Sequence, residues 1–348
     1  MQNVIISDDV RRELSGILAK YDYDKLVLIC DGNSRRYCFD GLVGTMKEFE
    51  EAGVAAIEAG DENKNLKSLT AVWEALGRCG VTRKSLVVNL GGGMVTDLGG
   101  FAASTFKRGV RFVNIPTTLL AMVDASVGGK TGINFNGLKN EVGVFSNADY
   151  VILDTVFLKT LDSDNVCSGY AEMLKHGLIS SEAMWRELLA FDILQPDLDR
   201  LRRMVADSVK VKERIVAEDP HEHGIRKALN VGHTVGHAFE SFALKRRPVL
   251  HGYAVAYGIV CELYLSARKA GFPTDKLHAT VGYIKEHYGK MQITCNDYAE
   301  LLELMTHDKK NTAGTINFTL LADIGDIRIN QTATKEEILE ALDFYREG

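Results

Sequence analysis

The sequence predicts an α/β protein in two parts, with an N-terminal α/β domain on a parallel sheet and a mainly α-helical C-terminal domain. Three observations carry this. Short runs of consecutive apolar residues alternate with helix-like segments over the first half of the chain, the pattern of strands buried on both faces. Each run ends at Asp, Gly or Pro. Beyond about residue 160 the texture changes to long segments with helical spacing. A chain of 348 residues has room for about two domains.

Taken in order, Leu26-Val27-Leu28-Ile29-Cys30 is the first strand, ending at Asp31-Gly32-Asn33. Leu69 to Leu76 has helical spacing. Ser85-Leu86-Val87-Val88-Asn89-Leu90 is a second strand and runs into Gly91-Gly92-Gly93. Phe112-Val113-Asn114-Ile115 is a third, stopped by Pro116, which cannot donate to a ladder. Tyr150-Val151-Ile152-Leu153 is a fourth, ending at Asp154. The segments 169–179, 198–217, 227–243, 252–270 and 275–287 read as helices. A short strand-like pair, 315–320 and 327–329, and a last helix from Lys335 to Tyr345 close the chain. The boundary falls near 155–165. Ligands of open α/β sheets bind at the carboxyl ends of strands, so a second domain closing over that edge would form a cleft.

Composition narrows the function classes. With 46% hydrophobic and 25% charged residues, the chain is neither disordered nor fibrous. A net charge of -6 speaks against a general binder of nucleic acid or anionic membrane. An anionic substrate would need locally concentrated cations. The start, Met1 to Asp8, lacks the basic segment and apolar run of a secretory signal. Leu26 to Cys30, the longest early apolar stretch, is far too short to span a bilayer. Cys30, Cys38, Cys79, Cys167, Cys261 and Cys295 form no C-x-x-C pair, so they read as free thiols in a reducing cytoplasm.

Four groups carry chemistry. Gly91-Gly92-Gly93-Met94-Val95-Thr96-Asp97 follows a strand and opens a helix, where glycines let a phosphate approach backbone N–H groups at the positive helix end. It departs from the dinucleotide fingerprint, since Thr96 stands at the third glycine position; a tight structural turn is the plain alternative. In Asn230-Val231-Gly232-His233-Thr234-Val235-Gly236-His237, two histidines four apart share a helix face, a spacing that suits a metal. His251 adds a third at a helix start; each alone reads equally as a cap or core histidine. Glu172 and Lys175, three apart in Gly169-Tyr170-Ala171-Glu172-Met173-Leu174-Lys175-His176, have apolar neighbours. A glutamate buried there needs a cation or a metal. The fourth group is cationic: Arg108-Gly109, Gly128-Gly129-Lys130 with Lys130 read as a loop residue, Lys139-Asn140, Lys212, Arg226 and Lys309-Lys310.

In this order and spacing these segments, with Pro116-Thr117-Thr118-Leu119-Leu120-Ala121-Met122-Val123-Asp124 and His251-Gly252, resemble the 3-dehydroquinate synthase family of the sugar-phosphate cyclase superfamily. The likeness spans about 59 to 325 and is densest over 89–178 and 210–258. It implies a Rossmann-like, NAD-binding α/β domain over 1–160 and a metal- and substrate-binding helical domain over 161–348. It implies a metal, zinc or else cobalt, on Glu172, His233 and His251. It places Asp31 and Asn33 at the adenosine end of NAD, and Asp61, Lys64, Gly92, Gly93, Met94, Val95, Asp97, Thr117, Thr118, Lys130, Lys139, Phe157 and Thr160 along the cofactor. Asp124, Lys130, Asn140, Lys175, Lys212, Glu222, Arg226, Asn230 and His237 would meet the substrate, and Arg108 would reach the neighbouring subunit's site in a homodimer.

The implied reaction is a carbon–oxygen lyase step of chorismate and aromatic amino acid biosynthesis. It turns 3-deoxy-D-arabino-heptulosonate 7-phosphate into 3-dehydroquinate and phosphate by transient oxidation, elimination, re-reduction and aldol closure. Lys130, Asn140 and Arg108 would hold the phosphate, Arg226 with Lys212 the carboxylate, and His237 would shuttle protons. The sequence departs from the family pattern at Tyr253 (commonly Glu), Pro220 (acidic), Leu138 (Gly), Asp61 (Glu) and Asp162 (Pro). The alternatives are another sugar-phosphate cyclase, a metal-dependent polyol dehydrogenase of the same superfamily, or an inactive binding protein on this scaffold.

Overall fold

The computed structural model describes residues 2–136, 138–306 and 316–348, so Lys309, Lys310 and the first residue of the expected strand at 315 lie outside the described residues. The chain divides into two compact units. One runs up to Asp162 and includes Asp197–Val209; the other holds Ser163–Pro196 and Lys210–Gly348. The sequence reading divides the chain at 160/161 and keeps 197–209 in the second domain.

The first unit is built on six strands, β1 (Asn3–Ser7), β2 (Leu26–Asp31), β3 (Gly53–Ile57), β4 (Leu86–Gly91), β5 (Arg111–Pro116) and, after a hairpin of β6 (Lys130–Phe135) and β7 (Leu138–Phe145), β8 (Tyr150–Asp154). The sheet order is β1-β8-β5-β4-β2-β3, and every pairing in it is parallel. All residues of β2 and β4 are buried, which is why these central strands are largely apolar, interrupted only by Asp31 at the end of β2 and Asn89 within β4. Each Val, Leu or Ile so buried contributes about 1.5–3 kcal/mol. Helices α1 (Val10–Leu18), α2 (Leu66–Arg78) and α3 (Gly93–Thr105) connect the strands.

The edge strands β1 and β3 go unread in the sequence. Their residues are largely half-exposed, and β3 is Gly-Val-Ala-Ala-Ile, poor in strand formers. Pairing with β8 and β2 selects them. The antiparallel hairpin β6–β7 is also new, and it corrects Lys130, which opens a strand instead of sitting in a loop.

The second unit comprises α4 (Ser163–Leu178), α5 (Glu182–Leu189), the later part of α6 (Leu198–Glu218), α7 (His233–Leu244), α8 (His251–Ala270), α9 (Thr274–Tyr288), α10 (Tyr298–Thr306), an antiparallel pair β9 (Asn317–Asp323) and β10 (Asp326–Thr332), and α11 (Lys335–Glu347). The segments α5 and α10 were not anticipated. Helix α8 is its axis: most of its residues are buried, and α4, α7, α9, α11 and β9 pack around it. A helix wrapped on all sides carries apolar residues all round.

The continuous helix expected over 227–243 is two elements. A 3-10 segment, Ile225–Asn230, ends before Gly232, whose φ of 79° lies in the left-handed region, and α7 then starts at His233. The apolar spacing runs through this break, which hides it in the sequence. Glycine adopts that conformation without penalty.

Candidate cofactor and metal sites

In the first unit the chain leaves β3 and returns on the other side of β2 to form β4, so connections reverse direction between β2 and β4. The crevice at the carboxyl ends of such a pair is where open α/β sheets bind ligands. Asp31 ends β2 and accepts the Ser34 N–H at 2.8 Å, which shapes the turn carrying exposed Asn33. Gly91 ends β4, and Gly92 precedes α3 as its N-cap, with no side-chain cap. The first N–H groups of α3, at Gly93, Met94 and Val95, therefore lack the side-chain acceptor that a Ser or Asp would supply. A Cβ on Gly92 would stand 3.1 Å from the Thr118 methyl, so the turn is lined closely by the segment after β5. There the Thr117 N–H donates to the Gly91 carbonyl at 2.9 Å. Phe157 and Thr160 lie on the 3-10 segment after β8, the first buried and the second exposed.

Asp61 and Lys64 follow β3. Buried Lys64 donates to the Asp97 carboxylate and to the Asn140 side-chain carbonyl. Asp61 pairs with Lys139 at 3.2 Å. Asn134 bridges the two stretches, its N–H donating to the Lys64 carbonyl at 2.7 Å and its amide to the Asp61 carbonyl at 3.1 Å. The structure thus gathers Asp61, Lys64, Asp97, Lys139 and Asn140 through one hydrogen-bonded set. Asp124 sits in the wide helical turn Ala121–Ala125. Arg108 is exposed on a turn where Lys107, Arg108 and Gly109 have φ of 53°, 66° and 116°. Arg83 braces it by donating to the Lys107 carbonyl at 2.9 Å.

The second unit brings Glu172, His233 and His251 together from α4, α7 and α8, with their ligand atoms within 4.8 Å of one another. Glu172 is fully buried, and its Oε2 takes the ammonium of equally buried Lys175. Its Oε1 has no hydrogen-bond partner but faces His233 Nε2 at 3.4 Å and His251 Nε2 at 3.5 Å. The other ring nitrogens are committed. His233 Nδ1 lies 3.1 Å from the Val231 carbonyl and His251 Nδ1 lies 3.4 Å from Glu240 Oε2. Both neighbours only accept, so both Nδ1 atoms donate and both Nε2 atoms point inward. Two imidazole Nε2 atoms and a carboxylate oxygen converge on one point, where a cation can take the place of a shared proton, and they are the donor types zinc takes.

The electrostatics agree. Burial opposes ionisation of Glu172, yet Lys175 and His233 hold its carboxyl well below the ordinary range. Burial also works against a charged His251, but Glu240 and Glu172 outweigh it and push the imidazole up to about 10. With no ion bound, the site draws in a proton. The His237 ring lies edge-on to that of His233 at 5.3 Å and tilted to that of His251 at 6.0 Å; it borders the trio, although helical spacing alone pairs it with His233.

Nearby, Asp219 accepts from the N–H groups of His223, Gly224 and Arg226 at 2.7–3.1 Å. The buried Arg226 guanidinium donates to the Pro220 carbonyl, so the proline at that unusual position contributes its backbone. Asn230 donates to Glu222 at 2.8 Å, and Lys212 is buried on α6. Tyr253 donates to Asp164 at 3.3 Å, joining the starts of α8 and α4.

Sequence reasoning missed Glu240 and Glu262. Glu240 lies seven residues after His233, on the helix face of both histidines, so its spacing was available. Glu262 is buried on α8 and accepts the Gly232 and Val235 N–H groups at 2.7 and 3.1 Å, capping α7 from outside. No local spacing announces that contact.

The fold is shared with solved synthases that bind NAD⁺ and a divalent metal. The 2-epi-5-epi-valiolone synthase of Streptomyces hygroscopicus, solved with NAD⁺ and Zn²⁺ bound, matches with a TM-score of 0.85 at 24% identity, over 100% of this chain and 97% of that one. A 2-deoxy-scyllo-inosose synthase complexed with carbaglucose-6-phosphate, NAD⁺ and Co²⁺ gives 0.84 at 23%, with the same coverage. The fold of this chain is therefore the one these two enzymes share. Models of the 3-dehydroquinate synthase N-terminal and C-terminal domains match residues 54–168 and 169–311. The 3-dehydroquinate synthase of Parabacteroides distasonis is 58% identical over 100% of this chain and 98% of its own length, and that of Clostridium acetobutylicum 35% identical over 95% and 92%. The chain belongs to the 3-dehydroquinate synthase family.

Proposed function

We infer that the chain is a 3-dehydroquinate synthase, a lyase that converts 3-deoxy-D-arabino-heptulosonate 7-phosphate to 3-dehydroquinate and phosphate with NAD and a divalent metal. Full-length likeness to enzymes of that name supports the activity. The observation that carries the chemistry is Glu172 Oε1, buried and without a hydrogen bond, facing two imidazole Nε2 atoms. A metal on Glu172, His233 and His251 would supply Lewis acidity toward substrate hydroxyls, and NAD in the first unit would supply a reversible hydride acceptor.

The chain's own residues bind and orient. Glu172, His233 and His251 hold the metal. In the first unit, Asp31 and Asn33 hold the adenosine end, and the N–H groups of α3 take the pyrophosphate. Asp61, Lys64, Asp97, Thr117, Thr118, Lys139, Phe157 and Thr160 line the rest of the cofactor. Lys130 and Asn140 bind the substrate phosphate by charge-assisted and neutral hydrogen bonds, and Asp124 meets a hydroxyl. In the second unit, Arg226 and Lys212 bind the carboxylate, Glu222 keeps Asn230 oriented toward the substrate, Lys175 balances Glu172, and His237 moves a proton. The aldol closure gains from confinement, since an oriented intramolecular reaction has a large effective molarity.

We further propose a homodimer in which Arg108 completes the neighbouring copy's phosphate site. The two successive non-glycine residues in the left-handed region, Lys107 and Arg108, cost energy that a plain surface turn would avoid. The β6–β7 hairpin of the same unit exposes Phe135, Leu138, Val142, Val144 and Phe145, apolar surface of the kind that a second chain covers.

Incubating the zinc-loaded enzyme with the heptulosonate phosphate and substoichiometric NAD⁺ tests the activity. Many turnovers of phosphate per NAD⁺, without accumulating NADH, are expected. NADH formed in step with substrate loss would instead show a dehydrogenase.

A further inference from the structure

We propose that Glu240 is a positioning residue for the metal, holding His251 in the tautomer and ring orientation that present Nε2 to the ion; this rests on the metal reading above. His251 and His233 are held differently. His233 keeps 10% of its side chain exposed and donates Nδ1–H to a carbonyl two residues away in its own chain. His251 keeps 28% exposed and stands at the first position of α8, after Leu250, which gives that helix no side-chain cap. Packing and local backbone therefore fix its ring less firmly.

What faces its Nδ1 is a carboxylate from another helix, at 3.4 Å. The Glu240 side chain is only 7% exposed, so this carboxylate has a defined place. A carboxylate accepts only, so Nδ1 keeps its hydrogen and, once an ion displaces any proton from Nε2, the lone pair there is left for the metal. That nitrogen is the one aimed at Glu172 Oε1. Glu240 reaches the ring because α7 and α8 lie antiparallel and close. A Cβ on Gly258 would meet the Gly232 carbonyl oxygen at 2.0 Å, and one on Gly236 the Ala254 carbonyl oxygen at 2.9 Å. The same register brings Glu240, one turn further along α7, opposite the start of α8. A carboxylate behind a ligating histidine fixes the ring and raises its basicity.

The test is the zinc dissociation constant of the substrate-free protein, measured by competition with a chromophoric chelator, for wild type, E240Q and E240L. Leucine fills the space without an acceptor; glutamine keeps a carbonyl oxygen for Nδ1–H. E240L is expected to bind zinc about 10- to 100-fold more weakly, and E240Q to stay within a few-fold of wild type. E240L binding as tightly as wild type, or E240Q as weakly as E240L, would overturn the assignment. Imidazole nitrogen shifts of zinc-loaded wild type supply a check that needs no variant to fold: Nδ1 of His251 should be protonated and Nε2 metal-bound, and the reverse overturns the proposal. Wild type that takes up no zinc would remove the metal reading along with it, whereas an unaffected E240L removes only the role of Glu240.

Discussion

The two carboxylate oxygens of Glu172 keep different company: one takes the Lys175 ammonium, and the other faces two histidine nitrogens. Removing one partner of a buried ion pair costs about 3–5 kcal/mol, because the other charge stays behind. Lys175→Met should lower the stability of metal-free protein by about that amount and that of zinc-saturated protein by less, since the ion supplies positive charge beside the same carboxylate. Urea unfolding with and without zinc reads the difference; equal losses would contradict the shared-carboxylate arrangement. His251 gives a pH dependence. Its pKa in the folded, metal-free protein is raised from 6.5 to about 10, so its contribution to stability is complete below about 6.5 and is lost as pH rises through about 10. Metal-free wild type should therefore lose melting temperature between these values relative to His251→Ala. A constant difference between the two proteins across that range would argue against the raised value.

Helices α4, α7 and α8 set the site's dimensions through contacts that admit no side chain. A Cβ on Gly252 would stand 1.8 Å from the Ser168 carbonyl oxygen, and the Gly252 N–H donates to the Ser168 hydroxyl at 3.0 Å. Gly252→Ala should push the start of α8 off α4, part His251 from Glu172 and sharply reduce bound zinc. Gly282→Ala, at an exposed helix position with nothing near the new methyl, should instead raise stability by about 0.5–1 kcal/mol. Metal analysis and melting of both variants check this. At this scale the sequence was partly legible. The four inner strands announced themselves because burial on both faces demands largely apolar runs. The edge strands Asn3–Ser7 and Gly53–Ile57 did not, since their pairing partners select them more than their composition does. The break at Gly232 was hidden by apolar spacing that continues through it. Glu172, His233 and His251, picked out in the sequence, converge in the structure, but which oxygen of Glu172 faces which nitrogen depends on packing between distant helices.

For the whole molecule, the dimer reading turns on Arg108. Mixed dimers of Arg108→Ala with a variant inactive through His251→Ala should regain activity in one of the two sites, because one site then receives intact Arg108 and keeps its own metal ligands. Activity no higher than in either parent would mean that Arg108 serves its own subunit. No helix among the described residues is long and apolar enough to cross a membrane. Phosphate release by this family member is expected to need a metal on Glu172, His233 and His251. The most direct measurement is phosphate release from the heptulosonate phosphate with NAD⁺ present, before chelation, after removal of the chelated metal, and after zinc is returned. Activity that vanishes on chelation and returns with one zinc per chain is predicted; full turnover by the metal-free protein would contradict it.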